Sequence, residues 1–212
     1  MSIIELRNVS YYYTPGRYIL NHVNVSFAAG KMYVITGPSG CGKTTLLSLL
    51  GGLDTPKEGA VFYRDSEITG AGLEKHRRNN VSFVFQNYNL IEYMTSIENV
   101  RLTAKTDPLP ILERLGLSAE ESGRNILKLS GGQQQRVAIA RALASQSEVI
   151  LADEPTGNLD QETAVEITEI LRESASEYKK CVIIVSHSEE VAHMAEEVYE
   201  LSEGKLQKRR FC

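Results

Sequence analysis

The sequence predicts an α/β fold built on a mainly parallel sheet. Three observations lead there. EVILA (148–152) and CVIIVS (181–186) are short, β-branched and apolar on both parities, as strands covered on both faces are. A helical pattern at 160–176 separates them, and strand–helix–strand order implies a right-handed crossover between parallel strands. KMYVIT (31–36) is a third apolar run, and a glycine loop and a second helical pattern follow it.

The elements follow in order. Segments 3–9 and 19–27 alternate partially and read as strands. The helix at 43–50 carries Leu46, Leu47, Leu49 and Leu50, and Gly51–Gly52 should stop it. Strands are expected at 60–63 and 81–85. From 86 to 145 the character changes: Pro108, Pro110, Gly116 and Gly123 punctuate short helical pieces, which predicts an inserted helical subdomain. In the 160–176 helix, Val165, Ile167, Ile170 and Leu171 gather while Glu162, Glu166, Glu169 and Glu173 face out. The reading is one domain over 1–212, with a catalytic core and β subdomain from 1–85 and 146–212 and a helical part from 86–145.

Composition narrows the function class. Hydrophobic residues make up 42 % of 212, enough for a sizeable core. A net charge of −4 argues against a nucleic-acid surface. The one basic cluster, Lys205, Lys208, Arg209 and Arg210, reads as a solvated tail, with contact to anionic lipid or an acidic partner as the alternative. No leader and no run approaching ~20 apolar residues is present, so a soluble protein is expected and any membrane role needs a separate chain. Cys41, Cys181 and Cys212 lack metal-site spacing and fit a reducing cytoplasm, and the terminal Cys212 forms no prenylation box. His22, His76 and His193 belong to no motif and read as surface residues.

Two stretches carry chemistry. GPSGCGKT (37–44) is G-x-x-x-x-G-K-[ST] after a strand and before a helix. The loop Gly37, Pro38, Ser39, Gly40, Cys41 and Gly42 can turn backbone N–H groups around phosphate oxygens at a helix N-terminus. Lys43 reaches the β- and γ-phosphates, Thr44 offers a hydroxyl to Mg²⁺, and Thr45 offers another to the phosphates. Cys41 reads as a small residue in a small space, with an acidified thiol as the alternative. VILADEP (149–155) ends an apolar strand in two carboxylates, and strand alternation predicts that they point to opposite sides. Asp153 is assigned to the metal and Glu154 to the attacking water as general base. Together these stretches predict a nucleoside triphosphatase.

LSGGQ (129–133) opens a helix with a hydroxyl and two glycines, suited to an anion, yet no phosphate-gripping lysine lies beside it. This stretch resembles the signature of ATP-binding cassette (ABC) proteins. With Gln86 at a strand end, GNLD (157–160) after the acidic pair and His187 after the last buried strand, the likeness covers essentially the whole chain. The resemblance implies a P-loop nucleotide-binding domain with an N-terminal antiparallel β subdomain, which hydrolyses ATP with Mg²⁺. It makes Gln86 a ligand to Mg²⁺ or the lytic water, His187 the switch histidine at the γ-phosphate and Asp160 an acid at a dimer seam. Tyr13 would stack on adenine, with Tyr11 or Tyr12 as alternatives. Two copies would pack head to tail, Ser130, Gly131, Gly132 and Gln133 of one facing the γ-phosphate held by the other.

LLGGLDTPKEG (49–59), FVFQNYNLIEYMTSIENV (83–100) and LSGGQQQRVAIARALA (129–144) are similar to the ATPases of bacterial macrolide, antimicrobial-peptide and lipoprotein-release systems. That likeness implies an integral membrane permease partner and a peripheral place at the inner face of the cell membrane. Tyr88, Leu90, Ile91, Tyr93 and Met94 either dock the permease or pack inside the helical part. Only 28 residues (101–128) separate Val100 from Leu129, fewer than the family leads one to expect, and Ser188 follows His187 where an aspartate is common. The rivals are a non-transport cassette of the cell-division or sensor-kinase kind, a DNA-repair cassette, which needs sustained heptads absent here, and an idle binding module, against which the intact Lys43, Asp153, Glu154 and His187 argue.

Overall fold

In a computed structural model, which describes residues 2–209, two sheets share the chain. The first is antiparallel. Strands β1 (Ser2–Thr14) and β2 (Arg17–Ala28) form a long hairpin, and β4 (Glu58–Tyr63) pairs with the other edge of β1. A two-residue β5 (Ser66–Glu67) ends the order β2-β1-β4-β5. β1 runs past the expected 3–9 because register shifts let the hairpin continue through Tyr11, Tyr12 and Thr14.

The second sheet follows the order β10-β9-β3-β8-β7-β6. Strands β3 (Lys31–Thr36), β6 (Val81–Phe85), β7 (Val149–Asp153), β8 (Cys181–Val185) and β9 (Glu197–Ser202) run parallel. Their continuous apolar runs have the expected cause. Tyr33, Ile35, Leu151 and Ile183 face one core, shared with the antiparallel sheet and helix α1 (Lys43–Leu50). Met32, Val34, Ile150 and Ile184 face a second core, shared with helices α6 (Gly131–Ala144), α7 (Gln161–Tyr178) and α8 (Glu189–His193).

All helical elements between β6 and β7 are short until α6. They are α3 (Ser96–Arg101), α4 (Leu109–Arg114), α5 (Ala119–Ser122) and a 3₁₀ turn at Ile126–Lys128. Helices this short are marginal alone, and side chains close their ends. Thr95–Glu98, Ser118–Glu121 and Ser130–Gln133 each form a reciprocal capping box, worth on the order of 1 kcal/mol apiece.

Several expectations need correction. The basic cluster is no solvated tail: β10 (Lys205–Arg209) pairs with β9, Lys208 meets Glu197 at 2.8 Å and Arg209 meets Glu189 at 2.8 Å. Arg210 and Cys212 lie outside the described residues. His76 is no surface residue. It sits on α2 (Gly72–Asn79), a helix the sequence reading missed, and is 1 % exposed, with Nε2 2.9 Å from the Leu50 carbonyl. Burial lowers its pKa from the ordinary histidine value. His22 and His193 are exposed as expected. On α7, Val165 is 44 % exposed while Ile167 and Leu171 are fully buried, so the buried stripe starts two residues later. Gly51 stops α1 as expected, and a Cβ there would sit 2.0 Å from the Phe83 ring. Among the described residues no helix is long and apolar enough to cross a membrane.

Candidate functional site

The loop between β3 and α1 takes its shape from two glycines. Gly37 has φ 147° and a Cβ there would meet the Leu201 carbonyl at 2.3 Å, while Gly42 has φ 107° and would meet Ile19 at 2.5 Å. Lys43 then opens α1. Its Nζ donates to the carbonyls of Gly37 (2.8 Å) and Pro38 (3.0 Å), which holds the ammonium under the loop. Cys41 packs half-buried against the first core, in line with a small residue filling space.

The ends of β6, β7 and β8 deliver the remaining groups. Lys43, Thr44, Gln86, Asp153, Glu154 and His187 line one cavity of about 300 Å³, together with Ser39, Gly40, Gly42, Thr45 and Tyr13. Asp153 and Glu154 therefore share the cavity and do not point apart. Alternation fails because β7 ends at Asp153, and Glu154 turns left-handed with φ 46°. This conformation costs a non-glycine residue free energy, and the following Pro155 disfavours it further. The Glu154 N–H donates to Val185 O at 2.9 Å, and its carbonyl accepts from Gly157 at 3.1 Å, which secures the turn.

Glu154 Oε1 is buried without a hydrogen-bond partner and lies 3.1 Å from His187 Nε2. That separation is within ion-pair range but lacks hydrogen-bond alignment. His187 Nε2 is also 3.3 Å from Lys43 Nζ. Burial pushes the Glu154 carboxyl above the usual carboxylate range, against the pull of His187 and Lys43. A poised acceptor beside a lysine and an imidazole is suited to taking a proton from water. Gln86 is held by Asn158: its Nε2 donates to Asn158 Oδ1 (3.3 Å), and Asn158 Nδ2 donates back to Gln86 O (3.2 Å). Sequence reasoning passed over Asn158, although it lies inside the GNLD stretch.

The three tyrosines separate cleanly. β1 is an interior strand and not an edge. Tyr11 is buried with its hydroxyl on Asp54, and Tyr12 packs edge-on against Tyr18 at 5.4 Å. Tyr13 is 74 % exposed and borders the phosphate cavity and an adjoining space of about 450 Å³.

Ser130, Gly131, Gly132 and Gln133 are not among the residues lining that cavity. They start α6 at the surface. Ser130 Oγ accepts from Gln133 N–H (3.3 Å) and Gln133 Oε1 accepts from Ser130 N–H (3.0 Å). The other two glutamines brace the same helix: Gln134 donates to Leu129 O at 3.0 Å, and buried Gln135 donates to Pro155 O at 2.6 Å, next to Glu154. A Cβ on Gly132 would touch Thr163 on α7 at 3.0 Å, so the two helix starts lie side by side. Asp160 caps α7 through Thr163 N–H (3.0 Å) and Oγ (2.8 Å), bonds that hold its pKa below the usual value. Ser188 likewise caps α8 through Val191 N–H (3.3 Å).

Mg²⁺ takes oxygen ligands and keeps waters or phosphate oxygens in its shell. Thr44, Asp153 and Gln86, all lining the cavity, offer that donor set. Among the described residues no cluster of three or more His, Cys, Asp or Glu could hold a metal unaided, and a site completed by phosphate requires none.

Residues 20–157 match the protein family described as ABC transporter. The chain is 41 % identical over 217 residues to the uncharacterized ABC transporter ATP-binding protein YclH of Bacillus subtilis, covering 97 % of this chain and 96 % of that one. It is 39 % identical over 205 residues to the lipoprotein-releasing system ATP-binding protein LolD of Idiomarina loihiensis, covering 91 % and 90 %. It is 42 % identical over 201 residues to the macrolide export ATP-binding/permease protein MacB of Burkholderia thailandensis, covering 89 % of this chain and 30 % of that longer one. A dimeric structure of the ATP-binding cassette MJ0796, in a post-hydrolysis state bound to ADP and Pi, superposes with a TM-score of 0.85 at 37 % identity, covering 99 % and 100 %. The phosphate loop, the acidic turn after β7, the helix-start serine and these likenesses agree, and the chain belongs to the ABC transporter family as an ATP-binding, ATP-hydrolysing cassette.

Proposed function

We propose that two copies close head to tail around two ATP molecules and drive a separate membrane subunit in export or lipoprotein release. One observation supports this above the others. Gly131 and Gly132 start α6 at the surface with no hydrogen bond on either N–H, and the phosphate loop of the same chain lies in another cavity. A partner copy supplies the anion that these donors fit, and the MJ0796 dimer is the precedent. Within each half-site Lys43 and the loop amides hold the β- and γ-phosphates. Glu154 takes the proton of the attacking water, His187 steadies the γ-phosphate, Tyr13 stacks on the base and Asp160 lies at the seam. Bound Mg²⁺ supplies charge neutralisation at the phosphates, with Thr44, Asp153 and Gln86 around it. The 1–85 and 146–212 segments act as the catalytic core and 86–145 as the helical part that carries the signature.

Docking of the membrane subunit is proposed along Tyr88–Met94 and the adjoining groove. Tyr93 is 81 % exposed, whereas Leu90 packs into the second core. The groove, about 860 Å³, is lined by Arg77, Arg78, Lys105 and Arg141, and their bonds are to carbonyl or amide oxygens where any are present. Such docking would hold the chain at the inner face of the membrane.

Mixing two inactive variants tests the reciprocity. Lys43→Ala removes the phosphate grip and Ser130→Arg blocks the signature. Each alone should be dead, and an equal mixture should regain about a quarter of the wild-type rate, because half the dimers carry one complete site. A mixture that stays dead, or a wild-type rate per molecule that is flat on dilution, contradicts the proposal.

A further inference from the structure

The signature is held in place by a residue outside it. Glu121 closes the capping box of α5: its Oε2 accepts from Ser118 N–H (2.8 Å) and Ser118 Oγ–H (2.7 Å). Its other oxygen, Oε1, accepts from Gln133 Nε2 at 2.6 Å. One carboxylate thus joins two capping boxes, and those bonds hold its pKa below the usual value.

The consequence follows donor by donor. With its NH₂ end on Glu121, Gln133 must turn its carbonyl oxygen the other way, onto Ser130 N–H. That fixes the amide orientation. Gln133 N–H in turn occupies a lone pair of Ser130 Oγ. The hydroxyl proton of Ser130 is then left to donate outward, and Gly131 and Gly132 N–H remain as the two unspent donors of the helix start. Ser130 Oγ–H and the Gly131 and Gly132 N–H groups are then three neighbouring donors, and Glu121 fixes which end of Gln133 faces Ser130. Without it the amide loses the partner of its NH₂ end, and Ser130 N–H alone holds the side chain in this orientation.

We infer that Glu121 is a positioning residue for the signature, presetting Ser130, Gly131 and Gly132 through Gln133 to receive the partner copy's γ-phosphate. The short 101–128 segment makes this arrangement direct, since four-residue α5 lies against the start of α6 without an intervening layer. The turn after α5 is anchored to the 92–96 segment: Asn125 Nδ2 donates to Glu92 O at 2.9 Å and Ile126 N–H to Met94 O at 3.2 Å, and on α5 itself the Glu121 carbonyl accepts from Ser96 Oγ–H at 3.4 Å. The inference rests on the head-to-tail reading.

A hydrogen-bond swap tests it. In Glu121→Gln two NH₂ groups face each other, and in Gln133→Glu two carboxylates do. With both substitutions in one chain, the new amide at position 121 donates to the new carboxylate at position 133. The amide oxygen at 121 still accepts from Ser118, and the carboxylate at 133 still accepts from Ser130. All variants are made in a Glu154→Gln background, where ATP-driven dimers should accumulate, and are read by sedimentation. Each single variant should weaken the ATP-driven dimer about tenfold or more, what a charge-assisted hydrogen bond is worth in an equilibrium, and the pair should recover most of it. ATP affinity of the monomer should stay within about twofold throughout, and melting temperature should not track the loss. Single variants that dimerise normally while Ser130→Arg does not would overturn the inference and leave the reading standing. A normal dimer in Ser130→Arg would overturn the reading itself. Loss of dimer that tracks melting temperature, with no recovery in the pair, would also overturn the inference and reduce Glu121 to a structural brace.

Discussion

Glu154→Gln is the sharpest probe of the chemistry. The amide is nearly isosteric, so the left-handed turn, secured by backbone bonds to Val185 and Gly157, should persist. What disappears is the proton acceptor: the buried Oε1, 3.1 Å from His187 Nε2, is replaced by one end of a neutral amide. General-base removal lowers turnover by about 10²–10⁴, or roughly 3–5 kcal/mol of barrier at 1.36 kcal/mol per decade. In the proposed site Lys43 and the loop grip the phosphates without Glu154, so ATP affinity should change little while turnover collapses. Quenched-flow phosphate release measures the step, and light scattering with excess ATP should reveal an accumulated dimer. The pH profile gives a second readout. The base works deprotonated and burial raises its pKa above 4.5, so the acid limb of wild-type turnover should lie above that value, fall as pH decreases, and vanish from the variant's residual rate. Turnover within tenfold of wild type, or an unchanged acid limb, refutes Glu154 as the base.

Other consequences are equally direct. Tyr13→Ala should raise KM for ATP about tenfold with kcat nearly unchanged, whereas Tyr12→Ala should leave both alone, since base–aromatic stacking is worth about 1–3 kcal/mol. Gly51→Ala drives a Cβ to 2.0 Å from Phe83 and should cost about 1–3 kcal/mol in urea unfolding, much of it recovered with Phe83→Leu. His76 resists protonation when folded, so below the unfolded value of 6.5 the unfolded chain binds more protons and stability falls as pH drops. The urea midpoint should decline from about pH 7 to pH 5, and less steeply in His76→Gln. Arg77→Glu with Arg78→Glu should abolish co-purification of the membrane subunit while free ATPase activity survives.

How far the sequence could be read depended on where each signal resides. β3, α1 and β6 fall where expected because their signals are local: an apolar run bounded by glycine, a leucine face, a double-glycine stop. β9 and β10 were hidden because EVYELS and KLQKR carry many charges and read as a polar tail. Only pairing across the turn sets Lys208 against Glu197. His76 was illegible for a related reason: LEKHRRN is charged nearly all round, and tertiary packing alone selects the side that meets Leu50. At the site the motif residues were legible one by one, but the left-handed turn at Glu154 was not, because alternation assumes the strand continues. The work of Glu121 was invisible, since nothing in a residue's type announces that it will orient another residue's amide.

The position of Tyr13 has a mechanical consequence. It extends from the antiparallel sheet, while the phosphate loop extends from the parallel one. A nucleotide with its base on the first and its phosphates on the second spans both as a tie rod. At a concentration a hundredfold above Kd, occupancy adds about 2.7 kcal/mol to the folded state. Part of that gain should register as slowed amide exchange along the β1–β2 hairpin, outward from Tyr13 and Ile19 at the cavity. Starved of fuel, the subunit keeps its shape with one strut fewer, and the hairpin is where the slack will be felt.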